Sequence, residues 1–203
     1  RVDRDNRDWE DIAIDNAGNL YVGEIGNNGG KKDQLAVYRL AEPDPSQPSR
    51  EKLRVNRTWK LRFAGEPFDS EGLFIWQSEG FIVAKHLDGR AAGVWRFSLD
   101  AGEQPQTLSH VCDLPIRAPV TGADLSPDGS RLVVCTPIGV SEFLVDGDIA
   151  AAATAPMRSV AHVEPSREAA CFVPGGVLTT SEKRDIRFFS DRQFDFAATQ
   201  PSR

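Results

Sequence analysis

A strand–turn–strand unit recurs four times along this chain, and the recurrence constrains the fold more than any other feature. The first copy is Glu10-Asp-Ile-Ala-Ile-Asp-Asn-Ala-Gly-Asn-Leu-Tyr-Val22, the second Glu71-Gly-Leu-Phe-Ile-Trp-Gln-Ser-Glu-Gly-Phe-Ile-Val83. Thr121-Gly-Ala-Asp-Leu-Ser-Pro-Asp-Gly-Ser-Arg-Leu-Val-Val134 and Glu168-Ala-Ala-Cys-Phe-Val-Pro-Gly-Gly-Val-Leu-Thr-Thr180 follow. Each copy carries glycine near its middle, where a tight hairpin turn needs a positive φ.

A third strand is predicted after each hairpin, at Val37–Leu40, Val94–Phe97, Val140–Phe143 and Ile186–Phe189, because apolar and polar residues alternate there. Fourth strands are expected at Thr58–Phe63, Gln106–Leu114 and Arg158–Val163, with Gln193–Phe196 for the last copy. Four short antiparallel strands per roughly 40–50 residues is the blade of a β-propeller. A β-sandwich would have no reason to repeat one hairpin. The chain therefore reads as a single all-β propeller domain over 1–203, its four-stranded blades spanning about 9–64, 70–114, 120–163 and 167–197. Ala41–Lys52 reads as a proline-rich surface excursion and Asp146–Ala155 as one short helix.

Charge narrows the partners. The 203 residues hold 24 Lys+Arg against 30 Asp+Glu, a net charge of −6, which argues against a nucleic-acid or anionic-membrane binder. No apolar run approaches the roughly 20 residues that a membrane span needs. The chain as given opens on Arg1 with no apolar core behind it, so no signal peptide is read in it. Cys112, Cys135 and Cys171 stand at irregular spacing within apolar runs and are expected to be buried free thiols.

The candidate site follows from the repeat. Glu10, Glu71 and Glu168 hold the same position in three copies; the third has Thr121 there and Asp124 three residues on. First strands line a propeller's axis, so these carboxylates are expected to converge, where they repel one another and lose solvation. A cation would offset this, and an oxygen-rich, histidine-poor set suits calcium or magnesium. The alternative is that each Glu ties the neighbouring blade through backbone N–H groups. A second ring is expected at the ends of the second strands, where Glu24, Asn27, Asn28 and Lys85 are candidate ligand-binding residues. His86 is the one imidazole expected near that entrance, and so the candidate catalytic base; His110 and His162 fall in outer strands.

Asp8-Trp-Glu-Asp-Ile-Ala13, Leu20-Tyr-Val-Gly-Glu-Ile-Gly-Asn-Asn28, Asp69-Ser-Glu-Gly-Leu73, Val120-Thr-Gly-Ala-Asp-Leu-Ser-Pro-Asp-Gly129 and Arg167-Glu-Ala-Ala170 together resemble a group of uncharacterised bacterial β-propellers. The resemblance runs from about residue 6 to residue 190. It implies a further hairpin upstream, hence a five- or six-bladed ring of which this chain lacks the first blade. It also implies a periplasmic or extracellular location. More distantly, the Glu-led hairpins are similar to gluconolactonase-type and esterase-like phytase propellers, families that hold calcium at central carboxylates.

Two functions follow. One is a binding or scaffold propeller with an acidic, calcium-binding centre, taking a small-molecule or protein ligand at the channel face. The other is a metal-dependent lactonase- or phosphoesterase-like hydrolase, with Glu10, Glu71, Asp124 and Glu168 on the metal and His86 or a carboxylate as base.

Overall fold

A computed structural model describes residues 1–46, 51–102 and 104–196. The chain forms β1 (Asp11–Ile14), β2 (Asn19–Glu24), β3 (Gln34–Ala41), β4 (Arg57–Arg62), β5 (Asp69–Trp76), β6 (Glu79–Lys85) and β7 (Ala92–Ser98). It continues through β8 (Gln106–Thr107), β9 (Ser109–Leu114), β10 (Gly122–Leu125), β11 (Arg131–Thr136), β12 (Gly139–Leu144) and β13 (Met157–Ala161). The last strands are β14 (Arg167–Val173), β15 (Gly176–Ser181), β16 (Ile186–Ser190) and β17 (Asp195–Phe196). They build four antiparallel sheets, β1–β4, β5–β7 with β9, β10–β13, and β14–β16, arranged in a ring as in a four-bladed propeller. Between β12 and β13, Asp148 caps a short 3₁₀ helix, Ile149–Ala153, by accepting the Ala150 N–H.

All four third strands form as the alternation predicted; the outer strands differ. The stretch expected as one fourth strand at Gln106–Leu114 splits. β9 completes the second blade, while β8 pairs in parallel with β4 on the rim of the first. β17 does not complete the fourth blade but pairs with β13 on the rim of the third. An outer edge is open hydrogen-bonding capacity, and whichever short strand reaches it satisfies it. The fourth blade accordingly has three strands among the described residues.

Pleat parity explains the core. Odd and even positions of an inner strand face opposite neighbours. In β5, Leu73 and Ile75 pack on the first blade with Tyr21, Trp59 and Leu61, while Phe74 packs on the third with Leu125, Leu132 and Phe143. In β11, Leu132 and Val134 face the second blade, and Val133 and Cys135 the fourth. Among the described residues the first and fourth blades each keep one face uncovered. Ile12 and Ile14, counterparts of Leu73 and Ile75, are 56% and 49% exposed, and on β16 Ile186 and Phe188 are also exposed.

Polar side chains tie the blades. Buried Asp11 Oδ2 accepts the N–H of Leu73 (2.8 Å) and of Ala123 (3.2 Å), joining three blades at the axis. Asp124 Oδ2 accepts the Phe172 N–H at 2.8 Å, joining the third to the fourth. Ser70 Oγ donates to the Ile25 carbonyl, and the buried Arg167 guanidinium to the Thr136 carbonyl. The inter-blade tie considered for the repeat Glu thus belongs largely to other residues, above all to the aspartate beside Glu10.

Two expectations about turns and thiols need correction. The second hairpin's positive φ falls on Gln77 (53°), not on Gly80, which lies inside β6 against the Phe97 ring. A side chain at Gly80 would meet that ring, so packing and not the turn accounts for the glycine. Cys112 and Cys135 are buried thiols, whereas Cys171 is exposed on the uncovered face of β14. Among the described residues no helix is long and apolar enough to cross a membrane.

Candidate functional site: the carboxylate end of the axis

A shared backbone irregularity starts the inner strands. In β5 the pairing shifts between Ser70 and Gly72, leaving Glu71 as the extra residue of a bulge. In β14 the shift between Arg167 and Ala169 does the same for Glu168. Glu10 donates its N–H to the Gly23 carbonyl although Gly23 is paired with Asp11, and Thr121 stands likewise to Cys135. A bulge re-aims its extra residue, so these four positions leave the pleat parity of the strands they begin.

Three of them meet. Glu10, Glu71 and Glu168, from the first, second and fourth blades, lie close enough at one end of the axis for Glu71 to raise the pKa of each of the other two. Burial first, then the charges of Glu71, Asp8 and Asp69, push Glu10 up to about 8. Burial first, then Glu71 and Glu182, push Glu168 to about 7. Glu71 is itself raised, because burial outweighs the hydrogen bond from Lys85. Its Oε1 accepts the Lys85 ammonium, while Oε2 is buried without a hydrogen-bond partner among the described residues. An orphaned carboxylate oxygen in a poorly solvated place is costly and marks a position where a donor or cation would be held.

Gly26 allows the approach. A Cβ there would fall 2.2 Å from Glu10 Oε1 and 2.6 Å from Asp8 Cγ, so only glycine lets both carboxyls lie against the chain. Lys32 Nζ bonds Asp8 Oδ2 and the Gly26 carbonyl, both at 2.8 Å. Six acids, Asp8, Glu10, Asp69, Glu71, Glu168 and Glu182, thus share two ammonium groups among the described residues, Lys32 and Lys85. The cluster is short of positive charge. Even so, among the described residues no group of three or more His, Cys, Asp or Glu side chains is arranged to hold a metal ion.

The other candidates are placed as follows. Asp124 is not joined to the group: it lies further along β10, lines a cavity with Leu125 and Ile14, and spends its oxygens on the Phe172 and Leu125 N–H groups. Burial pushes it to about 6. Lys85 stands in the cluster on Glu71. Glu24 accepts the Tyr38 hydroxyl at 3.0 Å. Asn27 is a buried brace, donating its backbone N–H to Asp69 and bonding Lys32 backbone at both ends of its amide, and Asn28 is exposed. His86 opens instead on a cavity of about 380 Å³ beside the second blade, shared with His110, Trp95, Phe68 and Asp113. There His110 Nε2 bonds Asp113 Oδ1 at 2.9 Å. Sequence reading missed that meeting of the two histidines, since it depends on how the β4–β5 connection folds over β7 and β9.

Ring, inter-blade ties and axial cluster together define the class: this is a β-propeller. No family model matches the chain, and no curated protein does. Among solved structures it is similar to the crystal structure of the computationally designed Ika4 protein, over 94% of this chain and 95% of that one, at 11% identity and a TM-score of 0.45. A likeness that weak carries no argument.

Proposed function

We propose that the protein is a binding propeller whose carboxylate end takes a cation. The observation that supports this reading is the unpartnered, buried Oε2 of Glu71 between two glutamates that hold protons near neutral pH. Bound positive charge would release those protons and satisfy that oxygen. All the donors are oxygens, and calcium, a hard ion with variable coordination, suits them. To coordinate it through Oε2, Glu71 would bring the ion beside the Lys85 ammonium held on Oε1, or exchange Lys85 for it. Either course is the main cost and implies weak, competitive binding.

Calcium titration tests it. The midpoint of thermal unfolding at pH 7 is expected to rise with calcium in the native chain, and to respond less in Glu71→Gln. An unchanged response in that variant, or none in the native chain, would leave the cluster as a structural feature only. The hydrolase reading has no observation of its own, since its candidate base His86 faces the separate cavity with His110.

A further inference from the structure

At the far end of the axis from the glutamates lies a cavity of about 530 Å³, within the range of small-molecule sites. All four inner strands contribute to it. Its apolar wall includes Ile12, Ile14, Leu20, Ile75, Trp76 and Leu125. Ile12 and Ile14 are about half exposed there, so apolar surface is presented to the cavity and not sealed in the core. The Trp76 ring is held firmly: a Cβ at Gly129 would sit 2.2 Å from it, and Gly147 closes on it from a second loop.

The charge of the lining is one-sided. Asp15, Glu42 and Asp124 contribute carboxylates, and among the described residues no Lys, Arg or His lines the cavity. Asp15 is kept ionised by hydrogen bonds from the Ala17 and Asn19 N–H groups, the Asn19 amide and the Tyr21 hydroxyl. Arg131, which lies over the Phe172 ring, is neutralised by Glu142 and Asp191. An anion entering would meet repulsion, and a neutral apolar molecule would leave the negative charge of Asp15 and Glu42 without a counter-ion, hydrogen-bonded though Asp15 is. An apolar body carrying an ammonium group answers both, with the indole of Trp76 available to its cation.

We propose that this cavity is a binding site for small amphipathic cations, an aromatic or aliphatic body bearing an ammonium group. The site is independent of the carboxylate end and of whether that end takes calcium.

Three compounds of one shape separate the contributions: 4-phenylbutylammonium, 4-phenylbutanol and 4-phenylbutyrate, titrated against the full chain with tryptophan emission as the readout. The ammonium is expected to bind about tenfold more tightly than the alcohol, with the carboxylate weakest, and the preference is expected to shrink at high salt. Trp76→Phe should remove most of the emission change. Ile14→Lys, at an exposed position, should abolish ammonium binding while circular dichroism stays native. Glu42→Gln should weaken the ammonium several-fold and leave the alcohol unchanged; Glu71→Gln, at the other end, should alter neither. Equal binding of ammonium and carboxylate would overturn the proposal. So would no binding by folded protein, or a dimer in light scattering that Ile12→Lys dissolves, since a second copy would then be the occupant.

Discussion

The two ends of the propeller axis are built by the same four inner strands and are both acidic, yet one is a carboxylate cluster and the other a cavity with an apolar wall. At the entry of those strands, bulges turn Glu10, Glu71 and Glu168 together, and the cluster carries more negative charge than its lysines neutralise. Further along, the pleat is regular and the strands present isoleucine, leucine and tryptophan around a cavity rimmed by acids. Equivalent sequence positions thus share a fate only where the local backbone is shared too. Three glutamates in bulges come under one another's charge; Ile12 and Leu73, one turn of the pleat beyond, do not behave alike, because Leu73 has a neighbouring blade over it and Ile12 has none among the described residues.

The largest effect is expected where one member of the equivalent pair is truncated. Leu73→Ala should cost about 2–5 kcal/mol in urea unfolding, since a fully buried side chain leaves a cavity between two blades. Next comes the tie at the axis. Asp11→Ala strips the acceptor from two buried N–H groups, on Leu73 and Ala123, and should cost about 2–4 kcal/mol. A loss below about 1 kcal/mol would show that water replaces the carboxylate there.

The carboxylate end should announce itself in pH dependence. Glu10 is raised to about 8 in the folded chain from an ordinary value near 4.5, so between those limits the folded state binds more protons than the unfolded one. Stability must then fall as pH rises from about 5 to 8, by a shift in melting temperature on the order of a few degrees. Glu10→Gln should flatten that slope, and a slope unchanged in the variant would place the titration elsewhere. The smallest effect belongs to the uncovered face: Ile12→Ser should change stability by no more than about 0.5 kcal/mol in the same urea measurement. A loss like that of Leu73→Ala would mean that something covers Ile12 in solution.

Much of this molecule was legible in the chain. Gly18 and Gly129 turn their hairpins with positive φ, and the alternation of Val37–Leu40 or Val140–Phe143 marks strands that form where expected. Asp148 before an alanine run marks the single capped turn between β12 and β13. What escaped was non-local. Strict alternation would put Glu10 on the same face as Ile12 and Ile14, and the bulge cancels it. Asp11 gave no signal of its own, yet its carboxylate binds two other blades. Asp124 resembled a fourth ligand by its nearness to Thr121, but each residue of an extended strand advances about 3.3 Å, which carries it out of the cluster.

Periodicity and turn chemistry act within a dozen residues, so the sequence by itself determined four hairpins, their third strands and the recurrent acid that begins three of them. The identity of edge partners, the neighbour over each blade face and the company each side chain keeps rest on contacts between residues far apart in the chain. Those contacts sent β8 to the first blade and β17 to the third, drew His86 and His110 into one cavity, and set Lys85 against Glu71. Only the packed ring decided them, because an open sheet edge or a buried charge accepts whichever partner the tertiary arrangement brings within reach.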